Sequence, residues 1–403
     1  MEKNIEKISS KVFSYFSRGV IEGIGRKSLF VQRSSAKLCS YEFLLMNIFD
    51  RRSSKERSLN DSCDWLEEHF GISLSKQSLD ERYNTYAVSF MKECFEKLLT
   101  KVNELELNKL SLKDFSSIQL TDATSFRISD NLSTFYKGYK GNAGPSVLKI
   151  HLNYDLLNGQ IEEISLGDGS VHDNAYNFGK NEEIKPAGLY LRDLGYYSFD
   201  YFRQLEESEA YFLSRAKTNV TFYQRDIDGN YQKMSWEDYL PLEGTSNDIP
   251  AVYLGSYKEK LRVRLVVESV PKAIAKKRIK KLEEYQQKQK DKSVSKKRKA
   301  MCYYNVFITN VPVTKLATNQ IRAVYSLRWQ VEVMFKLWKS HYNIDKVKKM
   351  SIFRFECHIY AQLIVALLDF ALQQAMEPIF LEELEEELSP IKATKLIKKN
   401  SIN

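Results

Sequence analysis

Cysteine is scarce in this chain and poorly placed for chemistry. Its five cysteines (Cys39, Cys63, Cys94, Cys302 and Cys357) are far apart and odd in number. No two form a CxxC pair, which argues against a zinc site and against a disulfide framework. A reduced cytosol is the compartment this pattern predicts. An apolar leader is also lacking: the opening residues, MEKNIEKISSKVFSYF, are charged throughout. Long apolar runs are missing as well. The most apolar stretch, IYAQLIVALLDFAL, is short and broken by Gln362 and Asp369. It predicts a buried helix and no membrane partner. No internal repeat is visible.

What is present is bulk, aromatic content and positive charge. With 403 residues the chain is long enough for two or three domains. A composition 43% hydrophobic and 12% aromatic can fill sizeable cores. Lys and Arg number 61 against 52 acids, a net charge of +9. That balance fits a polyanionic partner but says nothing of the fold.

Residues 1 to about 108 carry apolar residues at helical spacing, in SYEFLLMNIFD and in YAVSFMKECFEKLLTKV. Between them a helix around CDWLEEHF should end near Gly71, and a second should begin after Ser75. Helix, glycine turn, helix is the outline of a helix-turn-helix, although many helical hairpins share it. From about 115 the pattern changes. SSIQLTDA alternates like a strand, and SVLKIHLNYDLLNGQIEEISLGDG reads as a hairpin turning at Asn158-Gly159. A helix, the strand LYLRDLG, a helix opening after Ser198 and the strand AYFLSRA follow. Three strands and then alternating helix and strand predict an α/β sheet of mixed direction. Residues 218 to about 270 turn β-rich, with a turn at Asp228-Gly229. Residues 272–299 then hold 13 Lys or Arg and 3 acids. This run is either a solvated helix or a contact for phosphates. CYYNVFITNVP returns to strand, and after Pro312 the chain is expected to be helical to its end.

The segment YSLRWQVEVMFKLWK carries the sharpest signal. At ~100° per residue, Tyr325, Arg328, Glu332 and Lys339 lie within a stripe about 60° wide. Leu327, Val331, Val333, Met334, Phe335, Leu337 and Trp338 take the other side. An Arg328–Glu332 pair alone would be an ordinary surface feature contributing about 0.2–0.5 kcal/mol. The strands add weight. Period-two alternation puts Asp122 on one face with Ile118 and Leu120, and Asp193 with Leu189 and Leu191, each at the strand's end. A carboxylate on an apolar face is costly unless it leaves the sheet's carboxyl edge and meets a cation. Two Asp and one Glu are the hard oxygen ligands that Mg²⁺ prefers. A structural reading, with each Asp capping the loop that follows it, stays open. Asp168, in SLGDGS, is a competing candidate that also follows an apolar face; Asp173 in the same loop is a weaker one.

On these residues the chain resembles the DDE transposases of bacterial insertion sequences, in the branch with a Tyr-x2-Arg-x3-Glu-x6-Lys signature. Tyr325, Arg328, Glu332 and Lys339 match that spacing without a gap. LTDATSF, LRDLGYYSFDYF and FLSRAKTN are similar to the family's two Asp blocks. The resemblance implies an α/β ribonuclease-H-like core at 111–217 and 301–375, interrupted by a β-rich insertion with a basic helical segment at 218–300. It implies a helical N-terminal DNA-binding region at 1–110 and leaves a helical tail at 376–403. By the same likeness, Asp122, Asp193 and Glu332 are catalytic and hold two Mg²⁺ ions, for which Mn²⁺ can substitute. Tyr325, Arg328 and Lys339 would contact the DNA phosphate. The implied activity is cut-and-paste transposition on double-stranded DNA, both element ends and target, by a homodimer in a synaptic complex. The implied location is the bacterial cytoplasm, at the nucleoid. Tyr303, Tyr304 and Trp236 are candidates to receive a flipped base, and Arg215 and Lys217 to line a DNA channel. A metal-dependent nuclease on the same core and a transposase-derived DNA-binding protein are the alternatives.

Overall fold

The computed structural model describes residues 17–33, 37–52, 58–103, 114–139, 144–173, 184–217, 220–255, 259–288, 294 and 296–384. Among the described residues, five helices come first: α1 (Arg18–Lys27), α2 (Ser40–Arg52), α3 (Leu59–Phe70), α4 (Lys76–Arg82) and α5 (Thr85–Asn103). Local chemistry sets their ends. Ser58 and Asp61 cap α3 reciprocally, and Gly71 ends it at φ 65. Ser75 caps α4 through the Ser78 amide. The expected pair of helices about Gly71 is therefore present.

Ten strands follow in one sheet: β1 (Ile118–Arg127), β2 (Val147–Asp155), β3 (Gln160–Asp168), β4 (Leu189–Arg192), β5 (Tyr211–Arg215), β6 (Phe222–Arg225), β7 (Tyr231–Met234), β8 (Ser246–Gly255), β9 (Lys260–Ser269) and β10 (Tyr304–Thr309). Their spatial order is β3-β2-β1-β4-β5-β10-β9-β8-β6-β7. β1, β4 and β5 run parallel, and the remaining pairs are antiparallel. The β-rich segment thus continues the sheet, because β9 pairs along the whole of β10. The helix expected before LYLRDLG falls mainly on 174–183, outside the described residues.

Helices cover both faces. On one side α6 (Phe199–Glu207) joins a core built on Phe202, Phe212, Val263 and Ile308. On the other, α1–α5 and α11 (Ile352–Leu384) share a single core with Leu120, Ile150, Leu191 and Phe307. α11 is longer than the apolar run suggested, at 33 residues, and the expected boundary at 375/376 falls inside it. Ile352–Gln373 is long and apolar enough to cross a membrane, but 78% of that window is buried inside the protein. It is a core helix. The stretch after Pro312 is less helical than expected: α9 (Ile321–Ser326), α10 (Trp329–Ser340) and α11 are separated by turns, with no helix between Ser340 and Ile352. The basic run forms α7 (Lys272–Lys288) and α8 (Lys296–Ala300).

The second face of β1 and β2 is polar yet covered. Gln119, Thr121, Lys149, His151, Asn153 and Asp155 are each less than 5% exposed. Thr121 donates to Asn153 Oδ1 at 3.2 Å, and Lys149 pairs with Asp173 at 2.9 Å. Burial, reinforced by Lys149, pushes the His151 pKa down to about 4, with Asp173 acting the other way. The imidazole is neutral in the fold but free to protonate once unfolded. Its contribution is therefore complete above about pH 6.5 and is lost as pH falls toward 4. In urea titrations at pH 7 and pH 5, the wild type should lose up to about 2 kcal/mol that His151→Gln keeps. Equal losses in the two proteins would remove His151 from the acid response.

Candidate active site

Strand β1 pairs with β2 along its length, but with β4 only from Ile118 to Thr121. Asp122 is the first residue after that parallel pairing ends. It lies within the strand and not at its end as expected, because β1 runs on to Arg127 against β2 alone. The two parallel strands separate there and open a crevice at their carboxyl ends, where α/β sheets place their sites. Asp193 directly follows β4 and precedes a short 3₁₀ turn at Leu194–Tyr196. Both acids share the face of Leu120 and Leu191, as the period-two reading requires.

The stripe is built from two helices. α9 ends at Ser326 and α10 begins at Trp329. Between them the amides of Leu327, Arg328, Gln330 and Val331 each bond a carbonyl three residues back, a 3₁₀ tightening. Val331, Phe335 and Trp338 anchor α10 in the core. Arg328 stands in the tightened turn, and its guanidinium is aimed at the acids.

That guanidinium organises the site. Its Nη2 lies 2.8 Å from Glu332 Oε1 and 4.0 Å from Asp193 Oδ1. Its Nη1 donates to Asp122 Oδ2 at 3.3 Å. The Asp122 side chain is 18% exposed and that of Asp193 48%, so Asp122 is sheltered and Asp193 faces solvent. Burial pushes the Asp122 carboxyl up to about 6; the Ala123 amide and Arg328 oppose this, while Asp193 and Glu332 add to it. Among the described residues, the acids whose ligand atoms lie within 4.8 Å of one another are Glu22 and Glu42, with Cys39, and not these three. The three carboxylates are held around Arg328.

Tyr325 packs edge-on against Phe307 of β10, with ring centroids 5.4 Å apart. Lys339 lies farther off, donating to the Ser125 carbonyl at 3.1 Å. Burial lowers its pKa. Of the competing acids, Asp168 pairs in register with Leu148, which itself faces Phe126, so it is level with the far end of β1. Asp173 is the counter-ion of Lys149 on the polar face. Trp236 is buried in the second core, edge-on to Tyr304 at 6.1 Å. Two basic residues that the sequence did not single out, Arg278 of α7 and Arg322 of α9, meet at the Asn305–Glu268 pair. Arg278 was hidden among the lysines of its run. Arg322 lies one helical turn before Tyr325, on a signal that a basic residue alone does not carry.

The family model and the curated relatives agree on one family. The family model described as the transposase DDE domain matches residues 113–368. The chain is 31% identical over 412 residues to the transposase for insertion sequence element IS1151 of Clostridium perfringens, covering 98% of this chain and 86% of that protein. It is 29% identical over 413 residues to the transposase for insertion sequence element IS231F of Bacillus thuringiensis subsp. israelensis, with the same coverage. Among solved structures it is similar to the piggyBac transposase in its synaptic complex with hairpin DNA. There the TM-score is 0.47 and the identity 9%, over 98% of this chain and 79% of that one.

Proposed function

The chain belongs to the transposase DDE domain family and is a DNA transposase; on that premise we propose that Asp122, Asp193 and Glu332 are its catalytic acids. One observation carries the assignment. Three acids from distant parts of the chain, on β1, after β4 and on α10, meet around one guanidinium in the crevice of a mixed sheet. The sheet order β3-β2-β1-β4-β5, antiparallel on one side of β1 and parallel on the other, supports a ribonuclease-H-like core.

The donor chemistry fits a divalent cation. Three carboxylates offer hard oxygens only, and the charge now beside them is a guanidinium. Asp122, Asp193 and Glu332 would hold two Mg²⁺ ions, with Mn²⁺ as a substitute. Bound there, metal ions would supply activation of a water and charge stabilisation at the leaving oxygen of a phosphodiester. The residues themselves divide the remaining work. Asp122 is the most buried of the three, and burial pushes its carboxyl up to about 6, so a cation beside it favours its ionised form. Asp193 and Glu332, on the open side, face the approach of DNA. Arg328 offers a fork matched to a phosphate, Lys339 a point charge, and Tyr325 a hydroxyl beside Arg328 and Arg215.

The remaining parts of the reading follow the family. Transposition is supported by the relatives' role as insertion-sequence transposases; the cut-and-paste route and a homodimer holding two ends are proposed with it. Their bacterial origin supports a cytoplasmic location, and the nucleoid is proposed as the place where the enzyme meets DNA. The α3–turn–α4 unit, anchored by Leu79 with Lys76, Gln77 and Ser78 exposed, is the proposed DNA reader of the N-terminal region.

The test is cleavage of DNA carrying the element's own ends, with Mg²⁺, with Mn²⁺ and with EDTA. Cuts at the ends with either metal and none in EDTA are expected. Joining of pre-cleaved ends to a target should accompany them; cutting without joining would favour the nuclease alternative. Specific binding with no cutting under any metal would favour the DNA-binding alternative.

A further inference from the structure

The sheet edge that carries the acids continues beyond them. Leu120, Leu191 and Leu213 are register partners on β1, β4 and β5. Two residues on, the same face carries Asp122, Asp193 and Arg215. Arg215 pairs in register with Phe307 of β10, against which Tyr325 packs. One row farther out stand Asn305 of β10 and its register partner Glu268 of β9. Asn305 Nδ2 donates to Glu268 Oε2 at 2.7 Å. This amide–carboxylate pair holds two more arginines. Arg278 of α7 donates to Asn305 Oδ1 at 3.0 Å. Arg322 of α9 lies 3.7 Å from Glu268 Oε1, with its side chain 56% exposed.

Three guanidiniums from separate elements therefore gather along the edge beyond Asp193, with one carboxylate, Glu268, among them in the described residues, and the cluster is left positive. Burial lowers the Arg278 pKa, and Arg215 and then Arg322 lower it further against Cys302 and Glu268. Arranging like charges this way is unfavourable unless an anion joins them. Packing does not demand it, since Arg322 is largely in solvent.

We propose that Arg215, Arg278 and Arg322 form a seat for phosphodiester phosphates of a DNA strand, one to four nucleotides from the bond cut at the acids. The spacing follows from the sheet. Neighbouring strands lie about 4.8 Å apart, and Arg215, Asn305 and Glu268 are one, two and three strands beyond Asp193. That is roughly 5 to 15 Å, while a DNA strand advances one phosphate per about 3.4 Å of axis. Guanidinium forks grip phosphate in two hydrogen bonds and hold its orientation. Such a seat fixes the register of the strand before any bond is cut. This proposal rests on the acid-site reading above. The seated strand is either the element's end or the target.

The experiment measures affinity for end DNA in EDTA at several salt concentrations. The wild type, the Arg278→Gln/Arg322→Gln double variant and the matching double Lys variant are compared. The log–log salt slope should fall by about one to two units in the Gln variant and stay near wild type in the Lys variant. Single phosphates are then replaced by neutral methylphosphonate. One such change within four nucleotides of the cut should weaken wild-type binding roughly tenfold and leave the Gln variant unaffected. If the sensitive phosphate appears only in target DNA, offered with pre-cleaved ends, the seat belongs to the target strand. An unchanged salt slope, or methylphosphonate losses that simply add to the Gln losses, would overturn the seat and leave the acid site standing. A wild type with no preference for its ends and no metal-dependent cutting would overturn both.

Discussion

Glu332→Gln is expected to abolish end cleavage while leaving the protein folded and bound to DNA. Glu332 lies in the first turn of α10, its side chain 37% exposed and paired with Arg328. A partly exposed pair of this kind contributes about 1 kcal/mol or less. Glutamine preserves the shape and the helix. What it removes is one anionic ligand from a set of three. Metal-assisted stabilisation of the transition state amounts to several kcal/mol, so losing it should cut the rate by about 10³-fold or more. Affinity for end DNA in EDTA should change by no more than a few-fold, because removing an acid lowers repulsion toward phosphate. Gel assays of cleavage beside fluorescence anisotropy separate the two effects. Weak binding with normal cutting of whatever binds would take Glu332 out of the acid set.

Much of this site was readable because two short periodicities place it. The period of two put Asp122 and Asp193 on apolar strand faces, and the structure keeps both there. The caps of α3, α4 and α6, at Ser58, Ser75 and Ser198, are local chemistry and lie in the sequence itself. What could not be read is set by tertiary contact. The stripe from Tyr325 to Lys339 assumed one regular helix. The turn at Leu327 and Arg328 is tightened to 3₁₀, which winds farther per residue and redirects Arg328 relative to Tyr325. Lys339 lies seven residues beyond Glu332 on α10, about 10 Å along its axis, and so reaches the Ser125 carbonyl and not the acids. β1 runs past Asp122 because β2 still pairs with it, a long-range fact that alternation cannot supply. Within the β-rich segment, alternation does not mark β7, because Tyr231–Met234 is short and largely exposed. The β-rich segment read as a separate insertion, yet its membership in the same sheet depends on the β9–β10 register. Arg278 and Arg322 meet only because Asn305 and Glu268 are paired across that register.

Arg328→Met should give the second large effect, and it reads the cation logic of the site directly. The Arg328 side chain is 10% exposed and its guanidinium lies within 4.0 Å of all three carboxylates, so it is their counter-charge when no metal is present. Methionine fills similar volume and supplies no charge. Removing one partner of a buried ion pair typically costs about 3–5 kcal/mol, because the other charge is left uncompensated; the open side of the crevice lessens this here. In EDTA the melting temperature should therefore fall by several degrees. Mg²⁺ then distinguishes the explanations. If the guanidinium stands where a cation is needed, the ion meets less competition in the variant. A tenfold gain in Mg²⁺ affinity adds about 1.4 kcal/mol of stabilisation at saturating ion. The melting temperature of Arg328→Met should consequently rise more on Mg²⁺ addition than that of the wild type. Cleavage should fall despite tighter metal binding, since the released guanidinium is the proposed phosphate grip. A Mg²⁺ shift equal to or smaller than that of the wild type would mean that Arg328 is not in the cation's place. Its contacts with Asp122 and Glu332 would then be structural, and the three acids would have to meet metal in an arrangement that leaves the arginine where it is.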